Sequence, residues 1–176
     1  MQAAGEGPAR RPMRATVAYD GTDFLGFQLQ ADGRTVQGVL EAALRQVTDS
    51  PAEPGPRVIG SGRTDAGVHA TGQVIGFRVA WRHPVPDLLR ALNAVLPPDV
   101  VLLDLAPAAE HWHARFSAVQ RDYAYTVLNQ PLRSPLERRY VHLVTAPLDL
   151  DRMQAAAALL VGEHDFASFG QAMQPG

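Results

Sequence analysis

The chain has 176 residues, 46% of them hydrophobic and 19% charged, with a formal net charge of -2. That balance fits one globular domain and part of a second, and no apolar run approaches the roughly 18 residues a membrane span needs. Cysteine is absent, which excludes disulfides, thiolate zinc sites and cysteine nucleophiles together. All 16 basic residues are Arg, so no Lys can form a Schiff base or serve a phosphate-binding P-loop. A guanidinium instead offers a planar fork that grips phosphate and stacks on bases. The slightly acidic balance does not exclude nucleic-acid binding, which needs only a local basic stripe.

Met1 to Pro12 is small, polar and Pro/Gly-bearing, without the apolar stretch of a secretory signal. It reads as a disordered tail, residues 1–12, on a cytoplasmic protein. Met13 to Tyr19 alternates around Ala15 and Val17 and predicts a strand, ended by the turn Asp20-Gly21-Thr22. Thr35 can cap a helix running to about Val47, with Val36, Val39, Leu40, Ala43, Leu44 and Val47 on one face. Ser50 to Pro56 reads as a loop. Arg57–Gly60 and Gln73–Val79 predict two strands, with a polar, glycine-bearing loop between them. A second helix is expected from about Asp87 to Leu96, stopped by Pro97-Pro98. Val100 to Leu105 then reads as a buried strand.

This β-α-β-β-α-β order predicts an α+β protein whose first domain, residues 13–105, has the ferredoxin-like split arrangement. Many RNA-binding modules use the open face of such a sheet. A second domain, residues 106–176, starts with a loop or irregular strand over His111–Ser117. Strands at Arg121–Leu128 and Arg139–Val144 follow, then a helix from Leu150 to Val161 capped by Asp149 and ended by Gly162. These are too few elements to repeat the first domain, so the second reads as incomplete.

The loop Ser61-Gly62-Arg63-Thr64-Asp65-Ala66-Gly67-Val68-His69 is the strongest chemical candidate. Glycines permit close ligand approach, and four polar side chains converge on one strand-to-strand connection. The structural alternative is an Asx-turn held by Arg63. His69, His111 and His113 could form a metal site, but no carboxylate or thiolate is spaced with them. Asp20 reads as a turn residue.

Gly62 to His69 resembles the signature of the tRNA pseudouridine synthase A family. So do Tyr19-Asp20-Gly21-Thr22 with Gly26-Phe27-Gln28, Thr35-Val36-Gln37-Gly38 and Gly72-Gln73-Val74. Asn93 to Pro97, His113 to Ala118, Tyr123-Ala124-Tyr125 and Gly162 to Phe166 follow in the family's order. The resemblance covers about Met13 to Phe169. It implies a cofactor-free, metal-free isomerase that converts uridine to pseudouridine at positions 38, 39 and 40 of the tRNA anticodon stem-loop, working as a homodimer. It also implies a pseudouridine synthase fold whose second domain is similar to the first.

By resemblance Asp65 is the nucleophile, Tyr123 packs on the flipped base, and Arg63 fills the gap it leaves or holds phosphate. Arg115, Arg121 and His69 are candidate RNA contacts. Periodicity alone leaves Tyr123 and Tyr125 on one strand face, where core packing would account for both. Phe27 stands where the family usually has Trp, and Leu29 where a basic residue is usual. The resemblance also places the chain's end short of a final stretch that closes the cleft. The expectation is weak or no turnover by the chain as it stands, the alternative being an RNA-binding fragment without catalysis.

Overall fold

The computed structural model describes residues 9–48 and 55–170. They fall into two compact units, Met1–Asp122 and Tyr123–Gly176. Residues 106–122, assigned to the second domain by sequence, belong with the first unit.

In the first unit, β1 (Arg11–Tyr19), β2 (Ile59–Gly60), β3 (Ala70–Val79) and β4 (Val100–Pro107) form one sheet in the order β2-β3-β1-β4. Every neighbouring pair is antiparallel. The helices α1 (Val36–Thr48) and α2 (Val85–Val95) contribute to the same core. Met13, Ala15, Val17 and Tyr19 are buried on β1, and Ile75, Phe77 and Val79 on β3, as period-two alternation demands of a sheet covered on one face. Val36, Leu40, Ala43 and Leu44 of α1 and Leu88 and Leu92 of α2 join them, with Phe24, Phe27, Val58, Val100 and Leu102. Each buried Val, Leu, Ile, Phe or Met among them contributes about 1.5–3 kcal/mol.

β1 starts at Arg11, so the expected tail through Pro12 is two residues too long; residues 1–8 lie outside the described residues. The expected loop at Ser50–Pro56 also lies outside them as far as residue 54. Thr35 caps α1 as expected, its Oγ1 accepting from Gly38 N at 3.2 Å. α2 starts two residues before the expected Asp87, because Pro86 fits the first turn, where its missing N–H costs nothing. It ends as Leu96 turns extended ahead of Pro97. Among the described residues no helix is long and apolar enough to cross a membrane.

Two polar devices close the unit. Gln37 and Glu41 point inward from α1 and are buried, Glu41 to 5% exposure. Gln37 Nε2 donates to Glu41 Oε1 at 2.8 Å, Gln37 Oε1 accepts from Leu29 N, and Glu41 Oε1 also accepts from Val58 N at 3.0 Å. That last bond explains why the strand expected from Arg57 begins only at Ile59: Val58 spends its N–H on a side chain. On the far side, β4 is an edge strand, and Val101 and Leu103 are exposed, so the strand expected to be buried is covered on one face only. The Asn93 amide donates to Leu102 O and accepts from Leu102 N, both at 2.9 Å. A side chain thus stands in for a missing strand and blunts the edge.

The second unit is sparse. β5 (Val127–Asn129) pairs in parallel with β6 (His142–Val144), and α3 (Leu150–Ala158) follows. Asp149 caps α3 as expected, accepting from Arg152 N at 3.0 Å. The helix stops four residues before Gly162, whose φ is +112°, after its last turn tightens into i→i−3 bonds from Leu159, Leu160 and Val161. The strand expected over Arg121–Leu128 is three residues long, because only Val127–Asn129 has a pairing partner. Similarly, Arg139–Val144 pairs only from His142. None of the described residues of this unit is buried.

Two stability outcomes follow from the polar devices and ion pairs. Glu41→Leu fills similar space but strands Val58 N and Gln37 Nε2, so denaturant unfolding should show a loss of about 2–4 kcal/mol; an unchanged midpoint would mean these groups find other partners. Arg34 grips Asp99 bidentately at 2.6 and 2.8 Å. The hydrogen bond from Arg34 holds the Asp99 carboxyl below its usual range, and the same bond raises Arg34. A depressed carboxyl stabilises the fold above its unfolded-state pKa, and that contribution fades as pH falls through the folded value. Melting from pH 7 down to about pH 2 should therefore show Asp99→Asn less stable at neutrality by up to about 1 kcal/mol, since the pair is partly exposed. The difference should shrink in acid; a gap that stays constant to pH 2 would exclude the ion pair as its cause.

Candidate active site

Asp65 sits on the loop 61–69 that joins β2 to β3, and that loop is braced at its base, its entrance and its exit. At the base, Ser61 N donates to Val74 O at 2.8 Å. The Gln73 side chain receives Ser61 Oγ at 2.7 Å and donates to Gly62 O at 2.8 Å. Arg121 adds a fork onto Ser61 O, its Nε at 3.0 Å and its Nη2 also donating. At the entrance, Phe27 N donates to Thr64 O at 2.9 Å. Nearer the exit, Gly67 (φ +78°) donates from N to Phe24 O at 3.3 Å. The His69 ring faces Asp20 and Gly21: its Nδ1 lies 3.1 Å from Asp20 Oδ1 and accepts from Gly21 N at 3.1 Å.

The segment 20–27 is therefore a cradle for the loop, and it makes its contacts largely through backbone. A Cβ on Gly21 would run into the Val68 carbonyl. Gly26 has φ +98°, and a Cβ there would meet Thr64 O at 2.7 Å and Asp65 C at 3.3 Å. Only glycine tolerates both that conformation and that approach. The cradle is itself anchored. Asp20 Oδ1 accepts from Thr22 N at 3.0 Å and Thr22 Oγ1 at 2.6 Å, as expected of a turn residue. Arg34 lies 4.0 Å over the Phe24 ring while it holds Asp99, and Gln37 ties down Leu29 N at 3.0 Å.

The Asp65 carboxylate, by contrast, accepts no hydrogen bond and joins no ion pair among the described residues. The Asx-turn alternative requires that carboxylate to bond locally, so it does not account for Asp65. Arg63 is exposed beside it, and no ion pair links the two. The structure brings Arg63, Asp65, His69 and Arg121 to one loop and its base. His69 and Arg121, read from sequence as RNA contacts, both bond within the protein here. Arg115 stands on a separate turn at 114–116, shaped by His113, whose Nδ1 accepts from Arg115 N at 3.2 Å and Phe116 N at 3.3 Å; its guanidinium is exposed. Tyr123 belongs to the second unit and is 76% exposed, with Tyr125 at 78%, so core packing does not explain either in this chain.

A cavity of about 490 Å³ lies at the other end of the strands, among Met13, Ile59, Phe77 and Trp112 and rimmed by Arg57 and Arg78. The register Arg11↔Val79 marks that end and Tyr19↔Ala70 the end nearest Asp65. It is separate from the carboxylate.

Sequence reasoning missed the Gly26–Thr64 approach, the buried Gln37–Glu41 pair and the Asn93 edge cap. Part of the signal was present: Gly26, Thr64, Gln37 and Asn93 lie in motifs that the resemblance singled out, whereas Glu41 does not. Their spacing carries no information about which distant backbone they meet.

The fold and site define a mixed α and β protein with an antiparallel sheet that presents an unbonded carboxylate, flanked by a guanidinium, on a braced loop. A family profile described as tRNA pseudouridine synthase matches residues 15–117. Proteins named tRNA pseudouridine synthase A are similar along most of the chain. That of Limosilactobacillus fermentum is 47% identical over 156 residues, 89% of this chain and 60% of the relative. That of Brevibacillus brevis is 48% identical over 157 residues, 89% and 63% respectively. That of Methylococcus capsulatus is 46% identical over 153 residues, 87% and 55%. The chain belongs to the tRNA pseudouridine synthase A family, and it spans roughly 55–63% of the length of these relatives.

Gly26→Ala tests the cradle directly. It should cost about 1–3 kcal/mol through strain and the clash with Thr64, and amide exchange across residues 64–67 should accelerate. Unchanged stability and exchange would show that the two backbones do not constrain each other.

Proposed function

We propose that this chain acts as a tRNA pseudouridine synthase, isomerising uridine at positions 38, 39 and 40 of the anticodon stem-loop, with Asp65 as nucleophile. The observation that carries this reading is the unbonded Asp65 carboxylate on a loop braced at its base, at Thr64 and at Gly67, in a chain of this family. The reaction is an isomerisation: the bond from ribose to the base nitrogen breaks, the base turns, and a carbon of the same ring joins the ribose. One proton leaves that carbon and one is gained by the nitrogen, so no cofactor or metal is needed. A carboxylate can hold either the sugar or the base covalently between the two steps. It must be ionised and unspent to do so.

The target uridine must be extruded from its stack, at a cost of a few kcal/mol. Tyr123 is the proposed stacking partner for the flipped base, worth about 1–3 kcal/mol. Arg63 is the residue to fill the gap or hold phosphate. The exposed Arg115 guanidinium supports a phosphate contact, while Arg121 and His69 already bond within the protein, to Ser61 O and Gly21 N. The all-antiparallel β2-β3-β1-β4 order supports a ferredoxin-like first domain. A second domain of similar plan, a homodimer and a cytoplasmic setting complete the proposal.

The test is conversion of unmodified tRNA by the chain, with pseudouridine mapped chemically, beside the Asp65→Asn variant. The variant should lose at least about a thousandfold in rate while tRNA affinity stays within about twofold and falls steeply with salt in both proteins. Substantial turnover by Asp65→Asn removes Asp65 from the mechanism. Salt-sensitive binding with no conversion by the unaltered chain would favour the RNA-binding fragment instead.

A further inference from the structure

Tyr19 ends β1 with its ring buried to 5% exposure, 6.5 Å from the Phe24 ring and 6.4 Å from that of Phe27. The β1–β3 register shifts between Val17 and Tyr19, an irregularity of the kind that re-aims a side chain. The Tyr19 hydroxyl lies 2.8 Å from Thr64 Oγ1. Thr64 precedes Asp65 directly, and its carbonyl already accepts from Phe27 N. The residue before the carboxylate is thus held at both its side chain and its carbonyl, by groups from the rigid sheet end and the cradle.

We infer that Tyr19, through Thr64, is a positioning residue for Asp65. The hydroxyl pair fixes the Thr64 rotamer and with it the peptide from which Asp65 departs. The exposed carboxylate, which has no bond of its own, is aimed by its backbone alone. This rests on reading Asp65 as the nucleophile. A buried hydroxyl normally finds a partner for stability. Here the partner is a loop residue one position from the reacting group, and misplacement of about 1 Å at such a position can cost about a hundredfold in rate.

The experiment is a double-mutant cycle on the full chain. Tyr19→Phe keeps the buried ring and removes the hydroxyl; Thr64→Val keeps the shape and removes its partner. Each should lower kcat on tRNA by about 10- to 100-fold with KM nearly unchanged. The double variant should be no slower than either single one, since both delete the same bond. Thr64→Ser should restore most of the rate. Amide exchange at Thr64 to Gly67 should rise in Tyr19→Phe while exchange in α1 and β3 stays as it was. Unchanged kcat in Tyr19→Phe, or losses that multiply in the double variant, would overturn the inference. Should the unaltered chain make no pseudouridine, the enzyme reading falls and the positioning role falls with it, while acceleration of exchange confined to the loop would show only that Tyr19 holds the peptide before Asp65.

Discussion

Phe27 N–H reaches the Thr64 carbonyl, Gly67 N–H reaches the Phe24 carbonyl, and Gly21 and Gly26 lie against the loop without a side chain between. This contact of two backbones is what the rest of the first unit sustains. It cannot be made by side chains alone, because a strand-to-strand loop carries polar groups that must be satisfied locally or left to water. Bonds to a second backbone at Thr64 and Gly67 hold the loop without using the Asp65 carboxylate.

The supports behind the contact are layered. The core side chains of β1, β3, α1 and α2 hold the sheet. Gln37 and Glu41 then fasten α1 to Leu29 and Val58, the chain entering and leaving that layer. Arg34 joins the cradle to Asp99 at the start of β4 while covering Phe24. The bonds are ordinary in strength. Their effect comes from arrangement, since each ties the cradle or the loop to an element that is buried elsewhere. A buried polar pair such as Gln37–Glu41 stabilises little by itself, but removing one member is costly, which confines the backbone to one arrangement.

The second unit has the opposite character. Its two short parallel strands and one helix bury none of their described residues, and Phe166, Phe169, Leu159, Val161, Tyr123, Tyr125 and Tyr140 stand exposed. Its local signals are nonetheless clear: Asp149 caps α3, and Asn129 Nδ2 donates to Val144 O and Ala146 O, both at 2.7 Å. Local capping can form a helix where little tertiary burial supports it, but a strand requires a partner. That is why α3 starts where its cap sets it, though it ends at Ala158 and not Val161, while the two strands keep only their paired residues.

The sequence by itself determined what depends on neighbours along the chain. Apolar periodicity set β1, α1, α2 and β4, with Thr35 and Asp149 capping as their side chains allow and Asp20 turning the chain after Tyr19. It also singled out the Asp65 loop, because glycines and polar residues crowd between two strands there. Only the tertiary structure decided what depends on residues far apart. Val58 yields its N–H to Glu41 and shortens β2, Asn93 serves as an edge strand for Leu102, and His69 and Arg121 turn to Asp20 and Ser61. The same holds for Asp65 itself. Its type and place were legible in the sequence, but that its carboxylate is unbonded depends on the cradle satisfying the loop's backbone, and no local spacing encodes which distant N–H and carbonyl groups will meet.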